Sequence, residues 1–292
     1  MQRRKFLMRW MLDALTRLPL PVLYAIGRGI RFVAFHVVRW RRAVAVENIA
    51  NAFPDRSHAE HRAMLGASYD NLCDVLAETV WAYGADAREL CERVTIEGGE
   101  LITGPIAEGR SLLLLTAHFC NWEWLLLAAG AQLHVPIDAV YKPPRQRVFD
   151  EFLRDGRSRF GGSPVPYKGF VMAMMSRRAE ARCYAMVADQ TPIAQDEKYW
   201  TQFMGRETAF YVGADTVART IKAPVLFVAM QRRARGRYHV RVTSIATPPY
   251  ARAADHAIVE AYVRALETEI RVSPADWLWI HRKWKYGKPL YA

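Results

Sequence analysis

From Leu65 to Tyr83, apolar and aromatic residues (Leu65, Tyr69, Leu72, Leu76, Val80, Tyr83) recur at three- and four-residue steps, the period of an amphipathic helix. Just upstream, Ser57 and Glu60 have capping-box spacing: the hydroxyl accepts from the backbone N–H three residues on, and the carboxylate reaches back. A long helix starting near residue 58 is therefore predicted. Beyond residue 110 the texture changes to short apolar runs separated by helical patterns. Strands are expected at about residues 111–117, 137–141, 183–188, 225–231 and 238–245. Helices are expected between them at about 121–133, 147–160, 169–178 and 213–221, with a last one at 255–272. Strands alternating with helices of this length call for right-handed crossovers and a mostly parallel sheet covered on both faces. The fold class is α/β, and functional groups in such sheets gather at the carboxyl ends of strands. Here those ends carry His118, Tyr141-Lys142, Asp189-Gln190 and Gln231-Arg232.

Charge divides the chain differently. The 292 residues carry a net +12, yet residues 1–42 hold ten Lys/Arg against one acid, Asp13, and the tail from Arg282 adds Lys283, Lys285 and Lys288 with no acid. The middle is nearly neutral. Basic ends attract either nucleic acid or an anionic membrane by the same electrostatics. In residues 1–42 the bases alternate with Phe6, Trp10, Leu15, Leu23, Ile30 and Phe35, which suits a headgroup boundary and disfavours a nucleic-acid groove. Arg28 and Arg31 sit within the apolar stretch from Leu18 to Val38, and each costs about 2.5–3.5 kcal/mol at the centre of a span. The segment is expected to lie on or dip into the leaflet, as an amphipathic extension (1–42) of a catalytic domain (43–292). Trp277, Trp279 and Trp284, interleaved with the basic tail, point to a second interfacial contact.

Cys73, Cys91, Cys120 and Cys183 are widely spaced and form neither a disulfide framework nor a zinc pattern; no metal is expected. Phosphate-loop and dinucleotide motifs are absent, as is a G-x-S-x-G elbow. What remains is the hexapeptide His118-Phe119-Cys120-Asn121-Trp122-Glu123 after the first apolar strand. With His118 in the turn before a helix and Glu123 in its first turn, the carboxylate is expected to reach one imidazole nitrogen while the other faces substrate as a base. Cys120 ranks below this dyad as a nucleophile.

This hexapeptide resembles the H-x4-D/E motif of glycerolipid acyltransferases, in the H-F-x-N-W-E form of the late acyltransferases of lipid A assembly. The likeness extends through Arg42, Asn48-Ile49, Ala52-Phe53-Pro54, Tyr141-Lys142-Pro143, Arg157, Asp189-Gln190, Phe203-Met204-Gly205, Ala223-Pro224-Val225 and the block Trp279 to Lys285. Met204 departs from it, standing where a second Phe is common. The resemblance implies transfer of an acyl chain from acyl carrier protein or coenzyme A, a co-substrate and not a cofactor, to a hydroxyl of a membrane glycolipid at the cytoplasmic face of the inner membrane. It makes His118 the base and Glu123 its orienting partner. It further assigns Asn121, Arg157, Asp189, Gln190 and Arg282 to substrate or oxyanion binding, with Lys283 and Lys285 on lipid phosphates. Arg145, Arg147, Arg177 and Arg178 are candidate docking charges for the acidic carrier. Two alternatives stay open: acylation of another membrane lipid, such as a lysophospholipid or glycosylated phosphoinositide, and a non-catalytic basic protein binding lipid or nucleic acid.

Overall fold

The structure, a computed structural model, describes residues 2–250 and 253–286, with side chains from Phe6 onward. Arg3, Arg4, Lys5 and Lys288, part of the expected basic ends, thus fall outside the described side chains. Helices α1 (Gln2–Leu15), α2 (Leu20–Phe32), α3 (Arg42–Ala52), α4 (His58–Ala82) and α5 (Ala87–Cys91) precede the first strand, β1 (Val94–Glu97). Then come α6 (Glu100–Ala107), β2 (Leu112–Thr116), α7 (Trp122–Leu133), β3 (Ile137–Tyr141), α8 (Arg147–Arg157), β4 (Gly162–Pro166), α9 (Phe170–Ser176) and β5 (Cys183–Val187). The hairpin β6 (Lys198–Phe203) and β7 (Arg206–Tyr211) follows, then α10 (Gly213–Ile221), β8 (Val225–Ala234), β9 (Arg237–Ala246) and α11 (Ala257–Val272).

Seven strands form one sheet in the order β1-β9-β8-β2-β5-β3-β4. Every neighbouring pair is parallel except the hairpin β8–β9, so the expected α/β class holds. Leu112 to Leu115 of β2 are all buried, as a parallel strand covered on both faces requires. The capping box at Ser57 and Glu60 forms with both of its hydrogen bonds, and the long helix starts where the spacing put it.

The differences have local causes. Strand β4 lies at the sheet edge and contains Pro164 and Pro166, residues that suppress a strand signal and are tolerated only there. The β6–β7 hairpin turns through Met204 and Gly205, both with positive φ (51° and 74°). That is the backbone of a tight two-residue hairpin turn, which a Met-Gly pair announces poorly. Strand β1 spans four residues, too few to show a period.

The amino-terminal helices dock by one side only. Leu20, Leu23 and Gly27 of α2 are buried; a Cβ at Gly27 would stand 3.3 Å from the Cys73 carbonyl of α4. Arg31 pairs with Asp70 of α4 at 2.9 Å. The opposite side presents Val22, Ile26, Ile30, Phe32 and Val37 to solvent, and α1 exposes Phe6, Leu7, Trp10 and Met11. Leu20–Val37 is long and apolar enough to cross a bilayer by length and composition, yet part of it is committed to α4.

Helices α4 and α8 meet at a close approach that also serves the site. A Cβ on Gly156 would stand 2.4 Å from the Tyr83 ring, whose hydroxyl donates to Glu123. Gly156→Ala is expected to destabilise the protein by about 1–3 kcal/mol, the usual cost of overpacking, seen as a lower melting midpoint. An unchanged midpoint would mean that α8 shifts freely.

Candidate active site

Strand β2 ends at Thr116 and the chain turns through residues 117–121 into α7. The turn is pinned from outside: Cys120 N–H donates to the Asp276 carbonyl (2.8 Å), and Leu278 N–H donates to the His118 carbonyl (3.2 Å). Cys120 takes a left-handed backbone (φ 55°), and Phe119 bridges Trp277. His118 thus stands between strand and helix, with Glu123 in the first turn of α7, as the spacing predicts.

The imidazole partner is not the expected one. Asp189, just past the carboxyl end of the neighbouring strand β5, accepts from His118 Nδ1 at 2.7 Å and from the His118 backbone N–H at 3.1 Å. Its other oxygen accepts from Trp277 Nε1 at 2.9 Å. Asp189 is 3% exposed, so its charge survives burial only because these donors surround it. Burial works against that charge, but the His118 ring, its backbone N–H and the Trp277 indole hold the carboxyl well below the usual carboxylate range. The reciprocal holds for His118: burial disfavours imidazolium, yet the Asp189 carboxylate, helped by the charge of Glu123, outweighs it and lifts the pKa above its ordinary 6.5. With Nδ1 donating to Asp189, the neutral ring carries its lone pair on Nε2. Gln190 Nε2 lies 3.3 Å from that atom.

Glu123 is turned elsewhere. It accepts from Arg157 Nε at 2.9 Å and Nη2 at 2.5 Å, and from the Tyr83 hydroxyl at 3.2 Å. Burial alone would raise its pKa; the two-pronged guanidinium contact and the Tyr83 hydroxyl bring it below the ordinary range. The expected His118–Glu123 hydrogen bond is therefore corrected to His118–Asp189. The physical reason is that a planar guanidinium satisfies both oxygens of Glu123 at once. For the same reason Arg157 is no free anion site: two of its nitrogens are committed, and its guanidinium carbon lies 5.6 Å from the Tyr141 ring centroid.

Asn121, expected at the substrate, is fully buried. Its Oδ1 accepts from Trp124 N–H (3.0 Å), capping α7, and its Nδ2 donates to Glu78 Oε2 (2.6 Å). It serves the scaffold, because both of its polar atoms face inward. Glu78 in turn accepts from Tyr24 of α2 (2.6 Å) and from Tyr238 of β9, and burial raises its pKa despite these donors.

The carboxyl-terminal block also departs from expectation. Trp277 and Trp279 are core residues and Lys283 is buried, so they form neither an aromatic belt nor a lipid-phosphate grip. Arg282 is exposed, in keeping with a surface charge, and its backbone carbonyl accepts from Thr191 (3.1 Å). Of the docking arginines, Arg177 is tied to buried Asp138 at 2.7 Å and Arg147 to Glu151 at 2.7 Å, while Arg145 and Arg178 are exposed. Sequence reasoning missed Tyr83 and the orienting role of Asp189. The placement of Asp189 at a strand end was the available signal for the latter.

Such a site can remove a proton through His118 Nε2, with Asp189 fixing the tautomer and stabilising the imidazolium. It offers poor covalent chemistry through sulfur, because burial pushes the Cys120 thiol well above its usual pKa of 9.0 and only the thiolate attacks.

Comparison with known proteins fits that chemistry. A family model described as bacterial lipid A biosynthesis acyltransferase matches residues 2–286. The chain is 25% identical over 276 residues to the lipid A biosynthesis lauroyltransferase of Escherichia coli (strain K12), covering 92% of this chain and 87% of that relative. The lipid A biosynthesis palmitoleoyltransferase of the same strain is 25% identical over 274 residues, and so is the lipid A biosynthesis acyltransferase of Shigella flexneri; each covers the same two shares.

Cys120→Ser is expected to keep acyl transfer within about threefold of the parent under a general-base route. Loss of acyl transfer in the folded variant, together with a thioester adduct on Cys120 in the parent by mass spectrometry, would establish the nucleophile instead.

Proposed function

Because the chain belongs to the bacterial lipid A biosynthesis acyltransferase family, matched over residues 2–286, we propose that it moves a fatty acyl group from an acyl carrier protein thioester to a hydroxyl of a lipid A precursor, with His118 as general base. The observation that carries this is the Asp189–His118 pair at 2.7 Å, which leaves Nε2 as the basic atom beside Gln190. The acceptor hydroxyl replaces the Gln190 amide at Nε2, gives up its proton as its oxygen attacks the thioester carbonyl, and becomes the new ester oxygen. The imidazolium returns that proton to the departing thiolate. Base catalysis of this kind contributes about 10²–10⁴-fold.

Glu123 and Arg157 act beside this pair. The carboxylate favours the imidazolium and the guanidinium opposes it, so the ion pair holds opposite charges next to a centre whose own charge changes during reaction. Removing Glu123 strands a buried guanidinium, at a cost of about 3–5 kcal/mol.

Residues 1–42 form the membrane-associating segment and residues 43–292 the catalytic domain. Exposed Phe6, Trp10, Val37 and Val38 beside exposed Arg17, Arg28 and Arg39 support a contact of α1 and α2 with an anionic leaflet, which we assign to the cytoplasmic face of the inner membrane. Arg145 and Arg178 remain to meet an acidic carrier protein.

Purified full-length protein in detergent, given lauroyl acyl carrier protein and a lipid A precursor, is expected to yield a product heavier by one acyl group. His118→Ala should abolish it; full transfer by that variant sinks the proposal. Asp189→Asn should slow transfer by about 10²–10⁴-fold and act on pH in a defined direction. The raised pKa of His118 means that the base is protonated, and transfer lost, as pH falls through a value above 6.5. Without the carboxylate that acidic limb should move to lower pH. Separately, Trp10→Glu with Arg17→Glu is expected to reduce cosedimentation with phosphatidylglycerol vesicles at least about tenfold; unchanged binding would exclude α1 from the contact.

A further inference from the structure

Two groups touch the His118 ring nitrogens, Asp189 at Nδ1 and Gln190 at Nε2, and both belong to one turn after β5. Nothing in the proton-transfer route explains what holds that turn. The segment 277–284 does so through a set of side-chain hydrogen bonds. Trp277 Nε1 donates to Asp189 (2.9 Å), and Thr191 N–H donates to His281 Nε2 (3.1 Å). The Thr191 hydroxyl reaches the carbonyls of Arg282 (3.1 Å) and Lys283 (2.7 Å). Finally, Lys283 Nζ donates to the Gln190 carbonyl (3.4 Å). The segment is itself anchored from α3: Asn48 Nδ2 donates to the carbonyls of Trp279 (2.7 Å) and His281 (2.8 Å). Arg41 Nη1 reaches the Ile280 carbonyl at 3.2 Å.

Within this strap Lys283 is the anomaly. Its side chain is buried; Nζ donates to the Ala209 carbonyl of β7 (3.1 Å) and sits 3.6 Å from the Phe210 ring centroid. Its hydrogen-bond partners among the described residues are backbone carbonyls, with no carboxylate. A buried ammonium held in this way is costly, and a structural role alone would be filled more stably by an apolar side chain of like length. Burial lowers its pKa to about 7, against the pull of Asp189.

We propose that Lys283 is a positioning residue: its ammonium joins the Gln190 carbonyl to the β6–β7 hairpin and so fixes the Asp189–Thr191 turn that sets both hydrogen bonds of His118. This rests on His118 being the base. The titratable and charged groups facing the affected centre are Asp189, Glu123 and Arg157 around His118, Asp189 around Lys283, and Asp189, Lys283, His118 and Arg41 around His281. His281 stays neutral, since burial brings its pKa to about 4, as its role as acceptor from Thr191 requires.

The test is Lys283→Met in the full-length protein, assayed with lauroyl acyl carrier protein and the same lipid A precursor across pH 5–9. Expected are a kcat at least tenfold lower, KM for both substrates within about twofold, a melting midpoint equal to or above the parent's, and an acidic limb shifted to lower pH as the Asp189 contact loosens. Parental kcat and pH profile would overturn the proposal, as would activity falling only in step with the melting midpoint. If Lys283→Met does not accumulate as folded protein, Lys283→Gln keeps a side-chain donor of similar length without the charge, and the same shifts in smaller measure are expected; a parental kcat and pH profile there overturns the proposal equally. His118→Ala, run in parallel, separates the two ideas. Transfer by that variant condemns the base assignment, whereas inactive His118→Ala with unaffected Lys283→Met condemns the positioning role alone.

Discussion

The parallel register of β2 with β5 is the constraint on which the site depends. Thr116 faces Val187 across that ladder, so two residues further on His118 and Asp189 leave the sheet side by side. A slip of one residue would turn every side chain of β2 to the other face, and the four consecutive leucines, buried on both faces, would permit it on hydrophobic grounds. Polar groups decide. Asp189 is buried deeply enough that its charge requires all three of its donors, and two of them come from His118. The His118–Asp189 contact thus also favours this register, and the apolar run supplies the depth that makes the contact strong.

Two buried carboxylates, Glu78 and Asp189, flank the hexapeptide and a third, Glu123, ends it, and their surroundings divide their roles. Glu78 accepts from Tyr24, Asn121 and Tyr238, with burial dominant and its pKa raised; it locks the start of α7. Glu123 is kept ionised chiefly by Arg157, and Asp189 by His118. Of the three, only the last is hydrogen-bonded to a group that changes charge near neutral pH, the His118 imidazole. The Glu123–Arg157 pair is net neutral and rigid, which lets it bias His118 without titrating alongside it.

Where local sequence decides structure, the chain was legible. β3 and α10 fall on their expected residues, and the capping box forms. His118 is legible because an apolar strand ending in a polar residue is informative in an α/β sheet. Its partner is not, because Glu123 is near in sequence, whereas Asp189 lies 71 residues away and is brought close only by strand order. The burial of the carboxyl-terminal tryptophans and Lys283 is hidden for a related reason. Alternating aromatic and basic residues have the same composition on a membrane surface and in a strap whose aromatics pack inward, and only the pocket formed by Ala209, Phe210 and Gln190 separates the two. Asn121 shows the same limit: a helix cap and a substrate ligand use the same amide.

The relocation of that strap changes how the charge of the chain is to be understood. Among the described residues, α1 and α2 carry a basic and apolar surface that suits a bilayer, while Lys283 of the other basic end is an internal support. A flexible tether from α2 would let the active site wander relative to the lipid. Here Tyr24 of α2 and Asn121 of the hexapeptide donate to opposite oxygens of Glu78, and Gly27 seats α2 directly against α4. The helix proposed to meet the leaflet and the turn that carries His118 are therefore referenced to one buried carboxylate. On that geometry the proposed leaflet contact on α2 and the turn that carries His118 keep a fixed spacing.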